Sequence, residues 1–270
     1  MITKQQIIDF HKNGFLFLPK FIKPEIILQI YNDTIQIYQT QIERLILNPS
    51  TDFIENLETL FQTYFSVFIA CGKQAQHLIS LHQLGVSNEF IELICNLGIK
   101  NPIISTRPVL FSNSPRIAKK SINHTIPAHQ DWASMQGSIN SLIIWTPFIQ
   151  IKRELGPIHI IPESHKNGLI ITHKDESFGI VDNTNPDDFI TFEVEPGDIL
   201  VFSSFLVHKS GINITNNIRW SAHFRYNDLD DESFIERGYP HAYIYRPIDE
   251  WCTPEFNTLE AIQKYLHKYE

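Results

Sequence analysis

PGDILVFSSFLVHKSGINITNNIRWSAHFRYN, residues 196–227, decides how the chain is read. It contains two runs rich in β-branched and aromatic residues, DILVFSSFLVH and NIRWSAHFRYN, with Gly211, Asn213, Asn216 and Asn217 between them. That composition predicts two strands joined by a turn. On the second run Ile218, Trp220, Ala222, Phe224 and Tyr226 share one face, and Arg219, Ser221, His223 and Arg225 share the other, because successive strand residues point to opposite sides. A sheet with one apolar and one polar face can pack a core on one side and line a ligand-holding interior on the other. His208 closes the first run, and Arg219 follows it by eleven residues.

Upstream, IISTRPVLF (103–111), SLIIWTPFI (141–149), GPIHIIP (156–162) and FITFEV (189–194) are further short runs punctuated by Pro, Gly and Asn. Six such runs predict an antiparallel sandwich or barrel. Between Thr3 and about Gly98 the apolar residues instead recur at three and four, as in Leu57, Leu60, Phe61, Tyr64, Phe65 and Phe68, which is helical spacing. GFLFLPKF (14–21) interrupts these helices with a strand-like run, and Pro24 suits the first turn of the helix that follows. The fold class read from this order is mainly β with a helical annex (α+β). A single domain is expected over 1–270, with helical support over 1–100, a barrel core over 101–228 and a tail over 229–270. The tail is expected to be irregular apart from a short helix at Leu259 to Lys268.

The 270 residues are 43% hydrophobic, enough for one sizeable core. The net charge is -8 and the basic residues are dispersed, which argues against nucleic acid as a partner. Cys71, Cys95 and Cys252 are far apart and odd in number, so neither a disulfide framework nor a thiolate zinc site is suggested, and a reducing cytoplasm fits. The N-terminus lacks a long apolar core and no run approaches a membrane span. GxSxG, HExxH, Walker A and GxGxxG motifs are all missing, which leaves hydrolase and kinase readings without support.

The chemistry centres on His129-Gln130-Asp131. In a strand, residues two apart project from one face, so an imidazole and a carboxylate reach the same ion, and the third ligand must come from elsewhere. Two histidines and one carboxylate on one side of an Fe(II) leave positions open for cosubstrate and oxygen. The triplet by itself is weak: a second one, His173-Lys174-Asp175, lies in a polar loop where solvation is the simpler reading. Arg219 could grip a carboxylate through two charge-assisted hydrogen bonds, or could be a surface-paired arginine on an edge strand; spacing weighs the two evenly.

Together these residues resemble the phytanoyl-CoA dioxygenase (PhyH) family. The resemblance rests on an opening helix followed by KNGFLFLPKFI (12–22), HQD (129–131), GPIHIIPESHKNG (156–168), PGDILVFSSFLVHKSG (196–211) and the offset of Arg219 from His208. It implies a double-stranded β-helix, a jelly-roll or cupin-like barrel packed on the N-terminal helices. It also implies His129, Asp131 and His208 as iron ligands, and Arg219 on the distal carboxylate of 2-oxoglutarate. Gln130, Trp145 and Ser210 occupy places similar to the family's cosubstrate-contacting positions, and Thr106 to Phe111 resembles a strand lining the same pocket. The cofactors so implied are Fe(II), 2-oxoglutarate and O2.

The implied reaction is hydroxylation of a small organic molecule with oxidative decarboxylation of 2-oxoglutarate to succinate and CO2. Asp131 favours hydroxylation over chlorination, because related halogenases lack this carboxylate. Desaturation or epimerisation stays open. Family members act on acyl-CoA esters, amino acids, ectoine, sugars and secondary metabolites, so the substrate does not carry over. The tail NDLDDESFIERGYPHAYIYRP looks more like bacterial small-metabolite or surface-glycan members than the peroxisomal branch, and the chain ends in HKYE, which is no peroxisomal address. Trp132, Met135 and Gln136, just past the ligand pair, are substrate-facing candidates, although core packing suits Trp132 equally well. The loop from His165 to Asp188 is long enough for a lid. His124, His159 and His223 are expected near the site or as satisfied structural histidines. Two rival readings are a cupin-like metal enzyme that does not use 2-oxoglutarate and an inactive binding protein on the same barrel; Arg219 discriminates against the first and the intact ligand set against the second.

Overall fold

A computed structural model describes residues 2–119, 125–135, 137–170, 181 and 183–239. All of these fall within one compact unit, Met1–Pro240. The helix expected at Leu259 to Lys268, the second His-x-Asp triplet at 173–175, His124, Gln136 and residues 171–180 and 182 of the proposed lid lie outside the described residues.

The helical annex follows the three-and-four spacing. It comprises α1 (Lys4–Asn13), α2 (Pro24–Leu45), α3 (Phe53–Thr63), α4 (Phe65–Ala75), α5 (Ile79–Gly85) and α6 (Asn88–Asn96), interrupted by β1 (Phe15–Leu18). Thr3 and Gln6 form a capping box at the start of α1, and Gly14 ends it in a left-handed conformation, which satisfies terminal backbone groups that the helix leaves open. Pro24 opens α2, where its missing N–H has no helical partner to lose.

The β region contains β2 (Pro102–Ile104), β3 (Val109–Asn113), β4 (Leu142–Pro147), β5 (Ile158–Ile160), β6 (Ile190–Thr191), β7 (Ile199–Ser203), β8 (His208–Ser210) and β9 (Arg219–Asp228), with short helices α7 (Trp132–Met135) and α8 (Glu232–Glu236) beside it. A six-stranded sheet runs β1-β7-β4-β9-β2, with β3 also on β9, and a three-stranded sheet runs β6-β5-β8. Every pairing is antiparallel. The expected jelly-roll architecture is present as two sheets, but among the described residues they do not merge into a closed barrel.

Strand alternation divides the core into two layers. Leu142 and Ile144 of β4, Ile199 and Val201 of β7, and Trp220, Ala222, Phe224 and Tyr226 of β9 pack with the helices. Their neighbours Ile143, Trp145, Leu200 and Phe202 pack instead with Ile158 and Ile160 of the small sheet. β9 is tied to the annex by Trp220 against Tyr38 of α2 at 5.8 Å between ring centroids. Phe224 lies against Phe90 of α6 at 5.4 Å, and the Tyr226 hydroxyl donates to the Gly85 carbonyl of α5 at 2.7 Å. The helices therefore hold the outer face of the large sheet in place, and the polar face of β9 looks inward. Among the described residues no helix is long and apolar enough to cross a membrane.

Two local expectations need correction. The run DILVFSSFLVH is not one strand: it turns after Ser203, and His208 opens β8 in the other sheet rather than closing β7. Ser203 makes that turn, its carbonyl accepting from Leu206 N at 2.9 Å and its hydroxyl from Phe205 N at 3.2 Å. Nor do His129 and Asp131 share a strand. His129 forms an isolated bridge with His208, and Asp131 lies at a turn leading into α7, its carbonyl accepting from Met135 N at 3.1 Å.

Candidate metal centre

His129 and His208 are brought side by side by that bridge: His129 N donates to His208 O at 2.9 Å and His208 N to His129 O at 3.0 Å. Their rings stand 4.2 Å apart. Each ring turns Nδ1 toward a backbone carbonyl two residues earlier, His129 to Pro127 at 2.9 Å and His208 to Leu206 at 3.0 Å. A carbonyl only accepts, so both Nδ1 atoms carry the proton and both Nε2 atoms present a lone pair. Burial, and then the neighbouring His129, push the pKa of His208 down to about 3, which keeps the ring neutral at ordinary pH.

Asp131 completes the cluster. One ligand atom from each of His129, Asp131 and His208 lies within 4.8 Å of the others, and all three residues are buried. Burial by itself would raise the carboxyl pKa, but the Arg225 guanidinium overrides it and, with the two imidazoles, holds Asp131 well below the usual carboxylate range. The Nε2 atom of His208 is buried without any hydrogen-bond partner. An orphaned acceptor beside a second lone pair and an ionised carboxylate is a donor set that fits a divalent first-row cation.

Arg219 lies on the same inward face and is 2% exposed. It donates to the Gly156 carbonyl and, through Nη2, to Ser210 Oγ at 3.4 Å, while Nε has no partner. Its guanidinium carbon sits 5.4 Å from the Phe111 ring centroid. Burial lowers its pKa to about 10, so it remains charged at neutral pH. Among the described residues no carboxylate pairs with it. A buried cation without a counter-charge is costly unless a ligand provides one, so the surface-paired reading does not describe this arginine. Gly156, at φ +73°, brings its carbonyl to Arg219 by packing against Gly211, where a Cβ would meet the Gly211 carbonyl oxygen at 2.6 Å. Only glycine fits that combination of backbone angle and approach.

The other expected residues fall in three groups. Ser210 reaches Arg219, as noted, and Trp145 is buried in the layer between the sheets, opposite His223 of β9. Gln130 is otherwise engaged: its amide nitrogen donates to Gly168 O at 2.8 Å and Phe205 O at 2.6 Å, and its oxygen accepts from Ile170 N at 2.8 Å. It thus braces the ligand pair against both the 168–170 segment and the turn that delivers His208. Trp132 stacks on Phe205 at 5.2 Å, lies under Arg237 and donates its indole N–H to Ser138 O at 3.1 Å, whereas Met135 is buried in the inter-sheet layer.

His159 is satisfied on the small sheet by Thr191 Oγ1 at 2.6 Å. The sequence reading missed the role of Arg225, which holds the Asp131 carboxylate at 3.1 to 3.3 Å. Alternation had placed Arg225 on the inward face, but nothing in the sequence set it opposite Asp131. Apart from His165 Nδ1, which lies in the 164–167 turn, the further buried polar atoms without partners are Asn113 Nδ2, Ser221 Oγ and His223 Nδ1. The residues bearing them belong to β9 and to β3, which pairs beside it with Asn113 facing Arg219.

Comparison with known proteins gives a consistent result. The family model for phytanoyl-CoA dioxygenase (PhyH) matches residues 10–221. A probable phytanoyl-CoA dioxygenase of Caenorhabditis elegans is 29% identical over 143 residues, 48% of this chain and 45% of that protein. The peroxisomal phytanoyl-CoA dioxygenase of Mus musculus is 24% identical over 274 residues, 95% of this chain and 77% of that protein. Among solved structures, EctD from S. alaskensis with 2-oxoglutarate and 5-hydroxyectoine has a TM-score of 0.57 at 15% identity, covering 85% of this chain and 77% of that one. At that identity the likeness is one of fold.

Proposed function

Since the chain belongs to the phytanoyl-CoA dioxygenase (PhyH) family, we propose that it is an Fe(II)- and 2-oxoglutarate-dependent dioxygenase that hydroxylates a small organic metabolite. The observation that carries this reading is the coexistence of the His129, Asp131 and His208 donor cluster with the buried, carboxylate-free Arg219. The distal carboxylate of 2-oxoglutarate would supply the counter-charge that this buried guanidinium lacks among the described residues.

His129 and His208 would hold the iron through Nε2 and Asp131 through a carboxylate oxygen. Arg219, with Ser210 beside it, would hold the distal carboxylate of 2-oxoglutarate. When bound, iron and 2-oxoglutarate supply the oxidative chemistry, in which one atom of O2 enters the succinate released with CO2 and the other enters the substrate as hydroxyl. The protein's own contribution is positional. The carbonyls of Pro127 and Leu206 fix the two imidazole tautomers, Gly156 and Ser210 aim the guanidinium, and Trp145 and Met135 keep the neighbouring interior dry. Met135, buried between the sheets, suits a substrate-facing wall better than Trp132, whose faces and N–H are already engaged.

The test is anaerobic addition of Fe(II) and 2-oxoglutarate, watched for the visible charge-transfer band, followed by O2-dependent succinate release. Both should appear in the wild type, and both should be lost in His129→Ala. A wild type that releases no succinate and shows no band at saturating Fe(II) and 2-oxoglutarate would overturn the reading.

A further inference from the structure

Resting on the metal reading above, we propose that Arg225 is a positioning residue that fixes the plane of the Asp131 carboxylate and so presents Oδ1 to the cation that the cluster would hold. An ionised carboxylate has about four lone-pair sites, two on each oxygen. Arg225 reaches Oδ2 twice, through Nε at 3.3 Å and Nη2 at 3.3 Å, and Oδ1 once, through Nη2 at 3.1 Å. Two of these three contacts fall on Oδ2, so Oδ1 is the less engaged oxygen. Oδ1 is also the oxygen that lies 3.6 Å from His129 Nε2. The less engaged oxygen is therefore the one beside His129, and Oδ2 is the one the guanidinium covers.

The arrangement is built into the fold. Asp131 sits at a turn, where backbone hydrogen bonding alone does not fix its carboxylate plane, while Arg225 sits on the longest strand of the large sheet, between β4 and the β2–β3 edge. Both side chains are largely buried, 11% and 4% exposed. A forked guanidinium clamps a carboxylate plane, and lysine, a point charge, does not. A guanidinium this close also has an opposing effect, since it competes for the carboxylate and repels a cation. The two effects predict opposite results when Arg225 is removed, which makes the matter decidable.

The measurement is anaerobic titration with Co(II), whose visible bands report binding without turnover, on wild type, Arg225→Gln and Arg225→Lys, with near-ultraviolet circular dichroism as the check on folding. Outer partners of metal ligands are worth about 10- to 100-fold in metal affinity, so Arg225→Gln should bind Co(II) more weakly by about that factor. Arg225→Lys should recover only part of the loss. The affinity of the Co(II)-saturated protein for 2-oxoglutarate should stay close to wild type, because that end belongs to Arg219. Equal or tighter Co(II) binding by folded Arg225→Gln would overturn the proposal and mark the guanidinium as a competitor of the metal. If Arg225→Gln does not fold, Arg225→Lys decides: weaker Co(II) binding supports the clamp and wild-type binding overturns it. A wild type that takes up no Co(II) removes the metal reading and this inference with it, whereas wild-type uptake matched by Arg225→Gln removes the inference alone.

Discussion

The two faces of β9 do opposite things with the same ten residues. Outward, Trp220, Phe224 and Tyr226 are packed and satisfied by Tyr38, Phe90 and Gly85. Inward, Arg219 Nε, Ser221 Oγ and His223 Nδ1 are buried with no partner. Filled contacts stabilise the fold; unfilled polar atoms cost stability until a ligand satisfies them. This strand carries packed structure on one side and unpartnered polar groups on the other, so substitutions on the two sides should separate stability from function.

The largest expected effect is at the metal. His208→Ala should reduce O2-dependent succinate release to background while the protein stays folded, measured by coupled succinate assay beside circular dichroism. Phe224→Ala should do the reverse. Truncating a buried Phe costs about 3–5 kcal/mol, so its denaturation midpoint should fall sharply while turnover per folded molecule is retained. Loss of turnover in step with His208→Ala would break the division between the faces. Arg219→Ala should raise the KM for 2-oxoglutarate. Truncating one member of a buried charge pair costs roughly 2–5 kcal/mol, or about 30- to several thousand-fold, and metal affinity should hardly change.

A smaller effect is expected from pH on the metal-free protein. Burial holds the pKa of His223 well below the usual 6.5, so the unfolded chain takes up this proton before the folded one does. The contribution is fully present above pH 6.5 and is lost as pH falls from there toward the folded pKa. Melting temperature recorded from pH 7.5 downward should therefore drop more steeply in wild type than in His223→Leu. Parallel curves would show that this imidazole is not held neutral by the fold. The smallest effect belongs to Ser221→Ala: its hydroxyl has no partner, so removing it should leave the melting temperature unchanged or slightly raised. A clear drop would mean that the inward face is satisfied after all.

Much of this was legible along the chain. The three-and-four spacing gave the annex, and the period-two alternation of NIRWSAHFRYN assigned both faces of β9 correctly. The family motifs pointed to His129, Asp131, His208 and Arg219. Other points were not legible. The run DILVFSSFLVH reads as one strand because each residue suits a strand. Only the sheet pairing shows that it turns at Ser203 and changes sheets. Gln130 stands between two ligands and looks like a contact residue, yet its amide is consumed by Gly168, Ile170 and Phe205, partners 38 to 75 positions away.

Residue chemistry and periodicity are local properties, and by itself the sequence determined the helical annex before the β region, which side of β9 is polar, and, through the family motifs, which residues to look for at a metal centre. Pairing between distant segments is not a local property. The tertiary structure decided that His129, Asp131 and His208 each bring a ligand atom within 4.8 Å of the others, that Arg225 falls on Asp131 across 94 positions, and that Arg219 is buried without a carboxylate partner among the described residues. Each of these depends on how the turns at 131 and 203 bring separate strands together, and the free energy of that closure is spread over the whole core.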